Sequence, residues 1–119
     1  MIQDKQASIG PNPALHDVLM FSGQAHPALA RAIATYLGLE LSPTTITKFS
    51  NDDYYVQLGR SVRGKQVFIV QPLSPPCSDN LMELLLMLDI ARSGAAKDVC
   101  AVIPYFSYAR SDKKDAPRI

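Results

Sequence analysis

The chain has 119 residues, of which 47% are hydrophobic and 19% charged, and its formal net charge is +1. That composition builds a core and excludes a disordered segment. The near-neutral charge argues neither for a nucleic-acid nor for an anionic membrane partner, and none is expected, so any anion site has to be local. Two cysteines, Cys77 and Cys100, are too few for a disulfide scaffold in so short a chain and fit a reducing cytoplasm. Cys100 lies in an apolar run and reads as a small core residue. The longest apolar stretch, Leu84 to Leu88, is too short to span a bilayer.

In chain order, residues 1–16 read as a flexible leader rather than a signal peptide, with Gly10, Pro11 and Pro13 breaking any regular element. Val18 to Phe21 is a short apolar run ended by Ser22-Gly23 and reads as a strand buried on both faces. Pro27 opens a helix where its missing N–H costs nothing. Leu29, Ile33 and Leu37 give that helix an apolar stripe, and Gly38 stops it. Thr44 to Phe49 reads as a strand rich in β-branched residues. After the polar turn Ser50-Asn51-Asp52-Asp53, Tyr54 to Leu58 reads as its hairpin partner, standing apart from the main sheet.

Gln66 to Gln71 is the clearest buried strand, followed by a loop with three prolines. Asn80 and Glu83 have the spacing of a capping box, which predicts a helix from about Leu81 to Arg92, ended by Gly94. Leu81, Leu84, Leu85 and Leu88 mark one face, and further apolar residues extend it almost all the way round. Such a helix is buried on several sides or lies at a subunit contact. Val99 to Ile103 is a last strand. Strands alternating with helices predict an α/β fold with a mainly parallel sheet flanked by helices and a projecting β-hairpin. Ligands in such sheets bind beyond the carboxyl ends of the strands.

Two groups of residues could carry chemistry. Arg110, Ser111, Asp112, Lys113, Lys114 and Asp115 pack three cations and two carboxylates behind a strand. Arg110 can grip a phosphate with two parallel N–H donors, and the lysines act as point charges. The same run also fits a solvated charged loop. Phe49, Asn51 and Asp53 form the second group: an aromatic that can stack on a base, an amide that donates and accepts, and a carboxylate that accepts from an exocyclic amine. By themselves they equally fit an ordinary polar turn. His26 reads as a structural residue at a helix start, and Asp79 and Glu83 as helix-start residues rather than a catalytic pair. No Walker A or GxGxxG pattern is present.

Six segments in this order and spacing resemble the ribose-phosphate pyrophosphokinases (phosphoribosyl pyrophosphate synthetases). They are Phe21-Ser22-Gly23-Gln24-Ala25-His26, Lys48-Phe49-Ser50-Asn51, Ser61-Val62-Arg63-Gly64-Lys65, the run from Asp79 to Leu85, the run from Ala101 to Phe106, and Tyr108-Ala109-Arg110 with Asp112-Lys113-Lys114-Asp115. The resemblance spans about Val18 to Ile119. It implies a phosphoribosyltransferase-like fold and a chain that forms the N-terminal part of the first of two domains, an incomplete domain. The implied reaction transfers the β,γ-diphosphoryl group of ATP, with Mg²⁺, to the C1 hydroxyl of ribose 5-phosphate, giving phosphoribosyl pyrophosphate and AMP.

By the same resemblance, Phe49, Asn51 and Asp53 hold adenine in a neighbouring subunit's site, and the segment Arg110 to Asp115 lies along the ATP of its own subunit. A homo-oligomer built from dimers follows, a hexamer being one arrangement. The metal-binding, catalytic-loop and sugar-phosphate segments are expected beyond Ile119, so no catalytic or metal residue is assigned within the chain. Asp53 stands where many members have Glu, Ser111 where many have Gln, and Ala116 at an often basic position. These departures leave a non-catalytic, synthetase-associated regulatory homologue as the alternative.

Overall fold

A computed structural model describes residues 13–111 and 113–118. Most of the leader, residues 1–12, lies outside the described residues, as does Asp112; Pro13–Leu15 forms a single 3-10 turn. Three parallel strands, β1 (Val18–Ser22), β4 (Gln66–Val70) and β5 (Asp98–Val102), make a sheet in the order β1-β4-β5. Helix α1 (Pro27–Leu37) follows β1, and helix α2 (Cys77–Ser93) joins β4 to β5. Strands β2 (Thr44–Lys48) and β3 (Tyr54–Leu58) form a separate antiparallel hairpin. The α/β class, the parallel sheet and the standing-off hairpin are therefore those the sequence predicts.

Residue alternation decides which helix covers which face. Leu19 and Phe21 of β1 and Val67 and Ile69 of β4 point to one side, where they meet Leu84, Met87 and Ala91 of α2. Met20 and Val70 point to the other side, against Ala30 and Ala34 of α1. Each fully buried side chain such as Ile69 stabilises the fold by roughly 1.5–3 kcal/mol. The connections explain the division. After β1 the chain passes through α1 to Leu41, which bridges Met20 on the edge of β1 away from β4. After β4 it passes through α2 to β5, in the opposite direction. Right-handed crossovers running to opposite edges must use opposite faces. The carboxyl ends of β1 and β4 are thus the point at which the winding reverses.

Four local expectations are corrected. Helix α2 starts at Cys77, with Pro76 as its N-cap and no side-chain cap, so Asn80 and Glu83 form no capping box. They lie a full turn inside the helix, where both are buried. The buried stripe of α2 is Asn80, Glu83, Leu84, Met87 and Ala91, one residue back from the predicted face, and Leu85 is half-exposed. One residue is about 100° of helix rotation; a helix apolar nearly all round gives periodicity little to choose between. On α1 the buried positions are Ala30 and Ala34, small residues that let the helix approach the sheet, while Leu37 is exposed. Cys100 is exposed: Val99 and Ala101 turn to the α2 side of the core, so Cys100 faces the other side, where α1 packs on Met20 and Val70 instead.

The predicted stops hold, with a refinement. Gly38 is left-handed (φ 74°) and its N–H closes the end of α1. Gly94 follows α2, yet its φ is −78°. A Cβ there would lie 2.7 Å from Val62 Cγ2, so close approach is what requires glycine. The left-handed residue of that turn is Ala95.

Candidate functional site at the carboxyl edge

The turn after β1 is fixed from below. Gly23 N–H donates to the Val70 carbonyl at 3.0 Å. The backbone N–H of Gln24 donates to Glu83 Oε1 at 2.5 Å, and that of Ala25 to Gln71 Oε1 at 3.1 Å. The Gln71 amide in turn donates to Glu83 Oε1 at 3.1 Å and to the Asn80 carbonyl at 3.3 Å. Asn80 Nδ2 donates to the Ser74 carbonyl. A Cβ on Gly23 would lie 2.2 Å from Gln71 Oε1, so any larger residue would have to push the Gln71 amide out of its bonds.

Burial pushes the Glu83 carboxyl above its ordinary value of 4.5, and the charge of Asp79 adds to the rise; the hydrogen bonds from Gln24 and Gln71 oppose it. The crevice where the winding reverses is the usual ligand position in such sheets. Here protein side chains fill it. His26 caps α1, its Nδ1 accepting from Leu29 N–H at 3.1 Å, in keeping with its structural reading. A cleft of about 320 Å³ lies beside this turn, between Arg31, Leu41 and the start of β2.

The hairpin extends past this edge. Ile46, Val56 and Leu58 pack on the α2 side of the core, while Lys48 reaches Asp79 in the first turn of α2 at 3.2 Å. That bond chiefly holds the Lys48 ammonium above its ordinary 10.5. The tip turns through Asp52, whose φ is 68°. Phe49 is half-exposed. Asn51 Nδ2 donates to Asp53 Oδ2 at 2.9 Å, and Asp53 N–H donates to Asn51 Oδ1 at 3.2 Å. The three hairpin candidates therefore sit together at one exposed tip, two of them holding each other.

The charged segment leaves β5 at the same edge. Leu73 N–H donates to the Tyr105 carbonyl and Ser107 Oγ to the Leu73 carbonyl, so the proline-rich loop anchors it. Arg110 and Ser111 belong to a 3-10 turn, Ser107–Ser111. Lys113, Lys114 and Asp115 follow, all exposed. Among the described residues no hydrogen bond or ion pair joins Lys113, Lys114 or Asp115 to the hairpin tip. The sequence reading passed over Gln24 and Gln71 and assigned Glu83 to a cap. The available signal was spacing: Glu83 falls on the buried i, i+3, i+4, i+7 row of α2 with Asn80, Leu84 and Met87.

The profile of the N-terminal domain of ribose phosphate pyrophosphokinase matches residues 18–119. The chain belongs to the ribose-phosphate pyrophosphokinase family. It is 56% identical over 99 residues to ribose-phosphate pyrophosphokinase 2 of Spinacia oleracea, covering 83% of this chain and 25% of that protein. It is 50% identical over 105 residues to a putative ribose-phosphate pyrophosphokinase of Streptomyces coelicolor, covering 88% and 33%. The crystal structure of phosphoribosylpyrophosphate synthetase from Mycobacterium smegmatis superposes with a TM-score of 0.82 at 37% identity, over 87% of this chain and 35% of the other. The chain thus spans about a quarter to a third of the length of these family members. No helix among the described residues is long and apolar enough to cross a membrane.

Proposed function

We propose that the protein to which this chain belongs is a ribose-phosphate diphosphokinase that transfers the diphosphoryl group of ATP to the C1 hydroxyl of ribose 5-phosphate. The observation that carries the reading is the family match across residues 18–119. In this reading the chain supplies two parts of an ATP site. Phe49 stacks on adenine, Asn51 and Asp53 read its edge, and Arg110, Lys113 and Lys114 neutralise the phosphates, with Ser111 and Asp115 beside them. The mutual bonds of Asn51 and Asp53 support this, because they fix the pair while leaving Asp53 Oδ1 free to accept from an amine.

Transfer to a neutral hydroxyl needs alignment and charge neutralisation more than covalent help from the protein, and cations behind a strand end suit that. In this reading the tip and the charged segment meet in a site shared between two copies of a homo-oligomer, as the family resemblance implies. Mg²⁺ belongs to the reaction as the family implies it. Among the described residues, however, no group of three or more His, Cys, Asp or Glu side chains fits a metal ion. Cys77 and Cys100, both free thiols, suit a reducing cytoplasm.

The test is AMP release by the full-length protein with ATP, Mg²⁺ and ribose 5-phosphate. AMP formation that requires the sugar phosphate supports the reading. AMP or ADP release indifferent to the sugar overturns it, and ATP binding without turnover favours the regulatory homologue.

A further inference from the structure

The hairpin that carries Phe49 is gripped at one point of its free edge. In the β2–β3 ladder, Phe49 N–H donates to the Asp53 carbonyl and Gly59 N–H to the Pro43 carbonyl. The register pairs Ile46 with Val56. Hydrogen-bonded and non-bonded pairs alternate in antiparallel strands, so the 46–56 pair is a non-bonded one. The Ile46 carbonyl therefore points away from β3, an unpaired acceptor on an edge strand. Gln24 Nε2 donates to it at 3.3 Å. The backbone of the same Gln24 is held by Glu83 Oε1, and that oxygen is itself held by the Gln71 amide. Chemistry buried on α2 is thereby connected, through one residue of the β1–α1 turn, to the edge of the hairpin. The outer bond from Lys48 to Asp79 leads to the same helix, one turn earlier.

We infer that Glu83 is a positioning residue: through the backbone of Gln24 and the bond from its side chain to Ile46, it fixes where the hairpin carries Phe49, Asn51 and Asp53. The inference rests on the reading that this tip holds a base, but its mechanical part stands apart from that reading. Glu83 acts through Gln24 rather than on the nucleotide itself. The apolar contacts of Ile46, Val56 and Leu58 hold the hairpin on the core, while the polar link sets its position along α2.

The experiment uses the full-length protein and three variants, Glu83→Ala, Glu83→Gln and Gln24→Ala. Gln24 is exposed, so its replacement keeps the test open if Glu83→Ala does not fold. Hydrogen exchange at amides 44–58 is followed without nucleotide, and kcat and KM for ATP are measured alongside. Losing one such bond is expected to speed hairpin exchange about fivefold in Gln24→Ala and in Glu83→Ala. KM for ATP should rise by a similar factor with kcat nearly constant. Glu83→Gln keeps an acceptor oxygen and should restore both values. Hairpin exchange unchanged in folded Glu83→Ala or in Gln24→Ala overturns the inference. So does a Gln variant as impaired as the Ala variant. Faster hairpin exchange with KM unmoved upholds the positioning link and instead overturns the assignment of the tip to ATP.

Discussion

The crevice between the ends of β1 and β4 and the hairpin tip are both polar, yet they are built in opposite ways. In the crevice the polar groups are buried and spend their bonds on one another: Gln71 on Ala25, Glu83 and Asn80, and Glu83 on Gln24. At the tip, and at Lys113, Lys114 and Asp115 after β5, polar groups are exposed and keep capacity to spare. Phe49 presents its ring, Asp53 keeps one oxygen, and Lys113 and Lys114 make no ion pair among the described residues. A fold family's habitual ligand position is thus no guarantee of a site. Whether the polar groups are already satisfied discriminates better.

The contrast can be broken by substitution. The largest effect is expected in the charged segment after β5. Arg110→Ala in the full-length protein should lower kcat/KM for ATP roughly 10- to 100-fold, as the loss of charge-assisted bonds to phosphate implies. Its melting temperature should hardly move; unchanged ATP kinetics would remove Arg110 from the site. Next is the filled crevice. Gly23→Ala forces a methyl group against the Gln71 amide and should cost about 1–3 kcal/mol in denaturant unfolding. A neutral result would mean the Gln71 network yields more easily than its bonds suggest.

Phe49→Ala comes third. Base–aromatic stacking of about 1–3 kcal/mol corresponds to roughly a tenfold or greater rise in KM for ATP, with stability preserved because the ring is half-exposed. Smallest is the pH effect at Glu83. Its folded-state pKa is raised, chiefly by burial, so the protonated carboxyl favours the fold. That stability is full below about 4.5 and is lost as pH rises through the folded value. Glu83→Gln cannot titrate there, so thermal melting across this range should shift in favour of the Gln variant as pH rises. A constant difference would show that Glu83 keeps its ordinary pKa.

Much of this architecture was legible in the residues. Short apolar runs, Pro27 and Gly38 marked β1 and α1, and the polar interruption at Ser50 to Asp53 marked a hairpin. What escaped depends on long-range packing. Asn80 and Glu83 match a capping box in local spacing, but the helix begins at Cys77, and the acceptor role of Glu83 needs Gln24, 59 residues away in sequence. The face of α2 was misjudged because nearly every side of it is apolar. Cys100 read as core because an apolar strand does not reveal whether a neighbour covers it. The chemistry of Phe49, Asn51 and Arg110 and their division into two groups were readable in the sequence; the mutual bonds of Asn51 and Asp53 were visible only in three dimensions.

The central claim is that one ATP site takes its hairpin from one copy of the protein and its charged segment from another. The most direct measurement mixes full-length Phe49→Ala and Arg110→Ala proteins under conditions of subunit exchange and follows AMP release. A mixed pair holds one intact site and one doubly defective site. At ATP well below KM, random pairing into dimers should therefore restore about one quarter of the wild-type rate from two parents each about tenfold or more impaired. A mixture no more active than the mean of its parents would contradict the shared site and return both groups to a single chain.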